Sequence, residues 1–438
     1  MWKALVKTRL IFPADEKSVG DWTGAEYSKC GRTDRGVSAL GQVIGVRVRS
    51  SKPRPKNKAK NTTDETTVEG AETSEAPGME TTIATEEAEE EQPWDSVNDE
   101  LPYISLLNRV LPPTIRVYAW CPNPQDNFSA RFSCRERRYK YFFTQPAFCP
   151  SDPVNLDAPG WLDIEKMQQA AKMYEGLHDF RNLCKVDPSK QITNFERRIF
   201  HASIDPIAPL STPAFTGSDV PQSMLYAFSV HGSAFLWHQV RHLIAILFLV
   251  GQGLEQPSLV RELLDIEKNL RRPMYEMADD KPLVLWDCIF PALSENEEGG
   301  RGERLTESRP DTLNWIYADE AMKWGRAGLM EELWRGWRSR KMEEVVAGQV
   351  MDVIAGLGNR ELVAAVKEGN GNGKGKSRRG KESTQVFEGG DGPRLKGIYV
   401  PVMKKERMGT VDEINERYRL RKGISAEVVR EAAAESDE

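Results

Sequence analysis

The sequence predicts an α+β fold in which a mainly antiparallel central sheet is flanked by helices. Short apolar-alternating runs, rich in β-branched and aromatic residues, recur between Leu101 and about Leu293. They are joined either by hairpin-length spacers or by amphipathic segments of helical length, a pattern that favours antiparallel neighbours. With 438 residues, 39% of them hydrophobic and 29% charged, the chain can bury a substantial core and still carry appendages.

The elements follow in order. Residues 1–49 read as a short helix, a loop and a strand, the last from Val46 and Val48 alternating with Arg47 and Arg49. Residues 50–100 read as a disordered insert. A basic, proline-broken start, Lys52-Pro-Arg-Pro-Lys-Asn-Lys-Ala-Lys60, gives way to a Thr/Glu-rich tract with few large apolar groups to offset its ordering entropy. Core resumes over residues 101–293. Its strand candidates are 115–120, 139–143, 198–204 and 225–231, and its helix candidates are 163–174, 235–251 and 258–268. Residues 294–310 form a linker, 311–367 a helical extension, 368–394 a low-complexity basic linker, and 395–438 a C-terminal tail. In the extension, Leu329, Met330, Leu333, Trp334 and Trp337 recur at helical spacing beside Arg335, Arg338 and Arg340, which predicts a packed helical pair in preference to an RNA platform.

The net charge of −6 hides an uneven distribution. Fourteen acidic residues and no Lys or Arg fall between Asn61 and Glu100, so the remainder is basic and suits a polyanionic partner. The apolar run Leu243–Val250 is far shorter than the roughly 20 residues a membrane-spanning helix needs, and no leader of secretory type opens the chain. Six scattered cysteines, without a C-x-x-C pair, exclude the usual zinc spacings. They suit reduced thiols in cytosol or nucleus.

Three polar clusters stand out. The first is Tyr27-Ser-Lys-Cys-Gly-Arg-Thr-Asp-Arg-Gly-Val-Ser-Ala39. Gly31 and Gly36 have the spacing of a phosphate loop, but Val37-Ser38 follows where Lys-Ser/Thr is required, and the next element reads as a strand. What remains is Asp34 between Arg32 and Arg35, flanking cations that keep a carboxylate ionised as a nucleophile or base. A capped turn with surface charges explains the same letters, and Cys30 is an alternative reactive group. The second cluster, Phe128 to Phe143, interleaves Arg131, Arg135, Arg137, Arg138 and Lys140 with aromatics, as docking of unstacked RNA bases requires. A strand with aromatics inward and cations in water fits equally well. The third, Val230 to Ala245, places His238 and His242 at helical i, i+4 spacing. Gln239 stands in place of the metalloprotease glutamate and Arg241 lies on the same face, which opposes a metal.

Together these runs resemble a known family. Gly31-Arg-Thr-Asp-Arg-Gly-Val37, then Ala130-Arg-Phe-Ser133 with Arg138-Tyr-Lys-Tyr141, then Phe235-Leu-Trp-His-Gln-Val-Arg-His242 with Val250-Gly-Gln-Gly253, resemble the three ordered motifs of TruA-type tRNA pseudouridine synthases. His178-Asp-Phe-Arg-Asn-Leu-Cys-Lys185 and Pro282-Leu-Val-Leu-Trp-Asp-Cys288 look like the eukaryotic tRNA pseudouridine(38/39) synthase branch.

The resemblance implies a pseudouridine synthase fold and an isomerase that acts on uridines 38 and 39 of the tRNA anticodon stem-loop by base flipping. It implies Asp34 as nucleophile, Tyr139 stacked on the target uracil and available as proton acceptor, and Arg241 ion-paired to Asp34. Arg32 would help extrude the uridine, with Arg131 and Arg35 also against substrate. No cofactor and no metal are implied. A homodimer is left open, the expected location is nucleus and cytoplasm, and a catalytically inactive RNA-binding relative is the alternative. The family usually begins with a strand ahead of the helix that Met1-Trp-Lys-Ala-Leu-Val-Lys-Thr8 opens, so its absence here predicts an uncovered sheet edge.

Overall fold

A computed structural model describes residues 1–15, 17–53, 93–150, 157–209, 223–292, 305–326, 328–356 and 384–423. Most of the expected insert, much of the 294–310 linker, the start of the second basic linker and the end of the tail lie outside the described residues. The chain divides into two compact units, one of residues 1–25, 47–124 and 314–329, the other of residues 26–46, 125–313 and 330–438.

In the first unit, helix α1 (Trp2–Lys7) buries Trp2, Ala4 and Leu5. The 46–49 strand expected from alternation does not form. Arg47 N–H bonds the Ala25 carbonyl and Arg49 N–H the Leu10 carbonyl, two separate ties in place of a ladder. Ser51 N–H and Ser50 Oγ both donate to the Glu100 carboxylate, so the chain leaves and returns at one point around residues 54–92. Closing a longer loop adds little entropy cost, which is how such an insert is tolerated. Tyr103, on α2 (Tyr103–Asn108), packs edge-on against Trp120 at 5.2 Å between ring centroids.

The second unit holds the sheet. In chain order its strands are β1 (Ser28–Lys29), β2 (Ser38–Ala39), β3 (Ile44–Gly45), then, past the two-residue strand β4 (Ala119–Trp120) of the first unit, β5 (Glu136–Gln145), β6 (Gly176–Asp179), β7 (Glu196–Pro209), β8 (Met224–Gly232) and β9 (Leu283–Ile289). Six of them form one sheet in the order β2-β9-β5-β8-β7-β6. Only β2 and β9 run parallel; every other pairing is antiparallel, as the strand pattern predicts.

Period-2 alternation along β5 decides what faces what. Tyr141 and Phe143 point at Phe248 of helix α4 (Gln239–Gly251), with centroids 5.8 and 5.4 Å apart. Lys140 and Phe142 take the opposite side, against Trp286. Helix α3 (Ile164–Lys172) starts where the Asp163 side chain accepts the Lys166 N–H, and buries Met167, Ala170 and Ala171 at i, i+3, i+4. All thirteen residues of α4 are buried, and past its polar first turn, from Leu243 to Val250, it is apolar on every side. Helix α5 (Leu259–Leu264) is a turn shorter at its C-terminal end than the sequence predicts.

The core continues well past residue 293. Val386, Phe387 and Val402 belong to the same buried cluster as α4, and the Gln252 side chain exchanges two hydrogen bonds with the Phe387 backbone. Leu305 is buried and Ser308 donates to Glu136, so this part of the expected linker is tied to β5. The expected helical pair is, among the described residues, a four-residue turn of helix (Glu320–Lys323) and one 28-residue helix, Leu329–Gly356, with Trp334 and Trp337 more than half exposed.

Candidate active site

Asp34 lies at the centre of the loop between β1 and β2. Gln42 fixes one end of the loop, its amide accepting the Gly31 N–H at 3.1 Å and donating to the Gly31 carbonyl at 3.0 Å. A turn fixes the other, where Val37 N–H meets the Asp34 carbonyl and Gly36 adopts φ +91°. Glycine is required at that position twice over. The left-handed backbone disfavours a side chain, and a Cβ would sit 2.3 Å from Asp280 Oδ1. The element after the loop is strand β2, as expected, so no helix N-terminus stands behind a phosphate there.

The Asp34 carboxylate is about one-third exposed and faces two N–H groups. Trp237 Nε1 lies 3.3 Å from Oδ1 and His238 Nε2 lies 3.2 Å from Oδ2. Both come from the turn into α4, and a local conformation aims them. His238 takes a left-handed backbone, φ 59°, while the Gln239 side chain accepts the Leu236 N–H and Lys185 N–H ties the Trp237 carbonyl. Helix α4 therefore begins four residues later than the sequence predicts. Burial holds the His238 imidazole below its usual range, although Asp34 opposes that shift, so the neutral ring donates through Nε2.

Arg241 departs from its expected pairing. The resemblance places it against Asp34. In the structure its Nε donates to the Ala278 carbonyl at 2.7 Å and its guanidinium meets Asp280 at 3.9 Å. The cause is backbone placement: Ala278 N–H returns a hydrogen bond to the Arg241 carbonyl, and this draws the side chain along the 278–280 segment. Arg241 thus reaches the loop through Asp280, the residue packed on Gly36.

Tyr139 stands near Asp34, on the same β5 face as Tyr141, with its ring edge-on to Phe235 at 5.1 Å. Burial pushes its phenol well up, opposed by the Arg137 guanidinium, so at neutral pH it is an uncharged hydroxyl. Arg32, Arg35 and Arg131 are exposed, and Arg131 lies over the Phe132 ring at 4.8 Å. Cys30, the alternative reactive group, is buried, and its thiol is pushed up to about 12, chiefly by its hydrogen bond to Cys134. That disqualifies it as a nucleophile near neutral pH. His242 does not join His238: its Nε2 meets Arg272 at 2.9 Å.

A cleft of about 100 Å³ beside Trp237 is lined by Lys185, Lys190, Arg197 and Phe235. A larger one of about 830 Å³, near Gln168, His178 and Arg261, contains none of these residues.

Residues 170–291 match the family model described as tRNA pseudouridine synthase. The chain is 32% identical over 353 residues to the Caenorhabditis elegans protein named probable tRNA pseudouridine synthase tag-124, covering 78% of this chain and 69% of that one. The chain belongs to the tRNA pseudouridine synthase family. Within the family, it is 43% identical over 274 residues to the Saccharomyces cerevisiae protein named tRNA pseudouridine(38/39) synthase, covering 62% of this chain and 48% of the relative. To the human protein of the same name it is 37% identical over 334 residues, covering 76% and 54%. The chain thus spans about half the length of these two curated relatives.

For a pseudouridine synthase-family site, charge counting overlooked three residues. Trp237 and His238 contact Asp34, yet nothing in their spacing reveals it, because the contact depends on the left-handed turn. Arg137 reads in the sequence as one of five cations that either dock RNA or face water. It lies instead one strand step from Tyr139 on the same face and donates to the carbonyls of Cys30 (3.0 Å), Arg131 (3.1 Å) and Ser233 (3.1 Å). One guanidinium thus joins the start of the Asp34 loop to β5 and to the turn after β8. Its place in the period-2 register of β5 was the available signal.

Proposed function

We propose that this chain is a tRNA pseudouridine synthase that isomerises uridine at positions 38 and 39 of the anticodon stem-loop, the positions in the names of its yeast and human relatives. The single observation that carries the reading is Asp34, held on a glycine-bounded loop with an N–H group at each carboxylate oxygen and Tyr139 close by.

In the proposed reaction Asp34 is the nucleophile. Its carboxylate adds to the flipped nucleoside, the glycosidic N–C bond breaks and the uracil turns; a C–C bond to the ribose forms, the bond to Asp34 breaks to return the free carboxylate, and the ring carbon gives up its proton while the freed ring nitrogen takes one. Addition to sugar or to base both satisfy this scheme. Trp237 and His238 orient the carboxylate, and Tyr139, as a neutral phenol, stacks on the base. Proton acceptance by Tyr139 comes only after its hydroxyl has found a partner. Arg241 acts as a positioning residue through Asp280. Arg32, Arg35 and Arg131 hold phosphates around the loop, and Arg32 fills the place of the everted uridine. Unpairing costs a few kcal/mol, which such contacts offset.

No cofactor enters the scheme. Cys30, Cys134, Cys149, Cys184 and Cys288 form no disulfide, which supports a reducing location, nucleus and cytoplasm. A homodimer is checked by light scattering.

The test is tritium release from tRNA labelled in its uracil rings, with mapping of the modified positions. Asp34→Ala is expected to lower turnover at least about 10³-fold while tRNA binding stays within a few-fold. Undiminished product formation by Asp34→Ala would overturn the assignment. Product at positions other than 38 and 39 would overturn the proposed specificity alone.

A further inference from the structure

At the base of the Asp34 loop three cysteines converge. Cys30 directly follows β1, Cys134 lies in the segment before β5, and Cys288 is on β9. All three are at least 95% buried, and their sulfurs lie within 4.8 Å of one another. We propose that these three thiolates bind one zinc ion, a structural centre that locks the catalytic loop to the sheet.

Geometry comes first. Sulfurs bound at about 2.3 Å to one zinc stand roughly 3.8 to 4.0 Å apart, so closing the trio around the ion takes small side-chain adjustments rather than backbone movement. The ligands come from three separate elements, so no sequence spacing could announce them, and the rule that excludes adjacent-pair zinc motifs does not touch them.

Charge supports the same ligand. Three thiolates and a divalent ion leave one negative charge. Arg137, whose guanidinium bonds the carbonyls of both Cys30 and Cys134, supplies one positive charge beside it. A buried centre that is neutral overall avoids the desolvation cost of a net charge. A monovalent soft cation would leave the cluster negative. On binding, the thiol protons leave to solvent and three S–Zn bonds form. The Glu136 carbonyl, 3.2 Å from Cys134 Sγ, offers a further oxygen donor.

The role is architectural. Asp34 lies four residues beyond Cys30, and its carboxylate meets Trp237 and His238 rather than any of the three sulfurs.

The full-length chain, produced with zinc and passed through gel filtration, is assayed for bound metal. About one zinc per chain is expected, falling at least roughly tenfold in Cys134→Ser and in Cys288→Ser but not in Cys121→Ser or Cys149→Ser. Because a cluster variant could misfold, wild-type protein stripped of metal is also titrated with cobalt(II). An intense near-ultraviolet thiolate-to-cobalt band that saturates at one equivalent is expected. Wild-type protein that holds no zinc and gives no such band would sink the proposal, as would zinc retained undiminished in both cluster variants.

Discussion

Two sets of arginines surround the Asp34 loop. Arg137 and Arg241 turn inward and direct their N–H groups at backbone carbonyls of Cys30, Arg131, Ser233 and Ala278. Arg32, Arg35 and Arg131 turn outward into solvent. In sequence the two sets are indistinguishable: each is a cation within a basic, glycine- or aromatic-rich run. What separates them is strand register and distance from the sheet. An inward guanidinium is a bracket, whose value is geometric and insensitive to salt. An outward one is a charge, whose value is its field.

This contrast can be broken, starting with the bracket. Arg137→Ala leaves at least three carbonyls without their donor, a loss of about 1–3 kcal/mol for each that stays buried. Chemical denaturation should show a lower unfolding midpoint, with turnover falling in parallel. Arg137→Lys, which keeps the charge but not the fork, should fail nearly as badly. Equal stability of the alanine variant and wild type would erase the distinction.

Next comes Gly36→Ala. The left-handed backbone adds about 1–2 kcal/mol of strain, and the new methyl displaces Asp280, the link between the loop and Arg241. Turnover should drop while tRNA affinity changes little. Wild-type kinetics would mean that Asp280 is free to move away.

Acid should sharpen the same division. Burial holds His231 down to about 4, and lowers His242 and His238 as well. The unfolded chain takes up these protons near pH 6.5, whereas the folded chain resists them. Stability is therefore full above pH 6.5 and declines as the pH falls toward about 4. Urea midpoints across that span provide the check, and a flat profile would contradict the burial of these rings.

The smallest effects belong to the rim. Single alanine substitutions at Arg32, Arg35 or Arg131 should leave the unfolding midpoint alone and weaken tRNA binding a few-fold. The salt slope of binding should flatten by about 0.7 to 0.9 for each phosphate that the variant no longer neutralises. A rim variant that unfolds early would belong with the brackets.

Much of this architecture was legible in the chain. The 139–143, 198–204 and 225–231 runs became β5, β7 and β8 because their alternation matched a half-buried sheet, and Asp163 capped α3 as its position suggests. Strand β9 escaped notice as a strand, because Trp286 and Asp287 break the alternation of its apolar run, where its pairing with β5 also shifts register. The 115–120 run shrank to two residues, Ala119 and Trp120. Asp34 stands out in the sequence by its flanking arginines and Tyr139 by the resemblance, and the two stand near each other. The partners of Asp34 were not, because they depend on one left-handed residue, His238. Nor was the contribution of residues 384–402 to the core, since Val386, Phe387 and Val402 are isolated apolar positions in a polar stretch.

That last feature has a consequence for biogenesis. Phe248 of α4 packs against Phe387 with ring centroids 4.9 Å apart, and Tyr141 donates to the Gly389 carbonyl. A ribosome that has finished all six strands of the main sheet has not yet made the residues that seal them. Until the 386–402 segment emerges, the nascent protein presents an open greasy seam, a natural resting place for a chaperone. Proteolytic nicking ahead of residue 384 would put a mature molecule at risk of returning to that unsealed state.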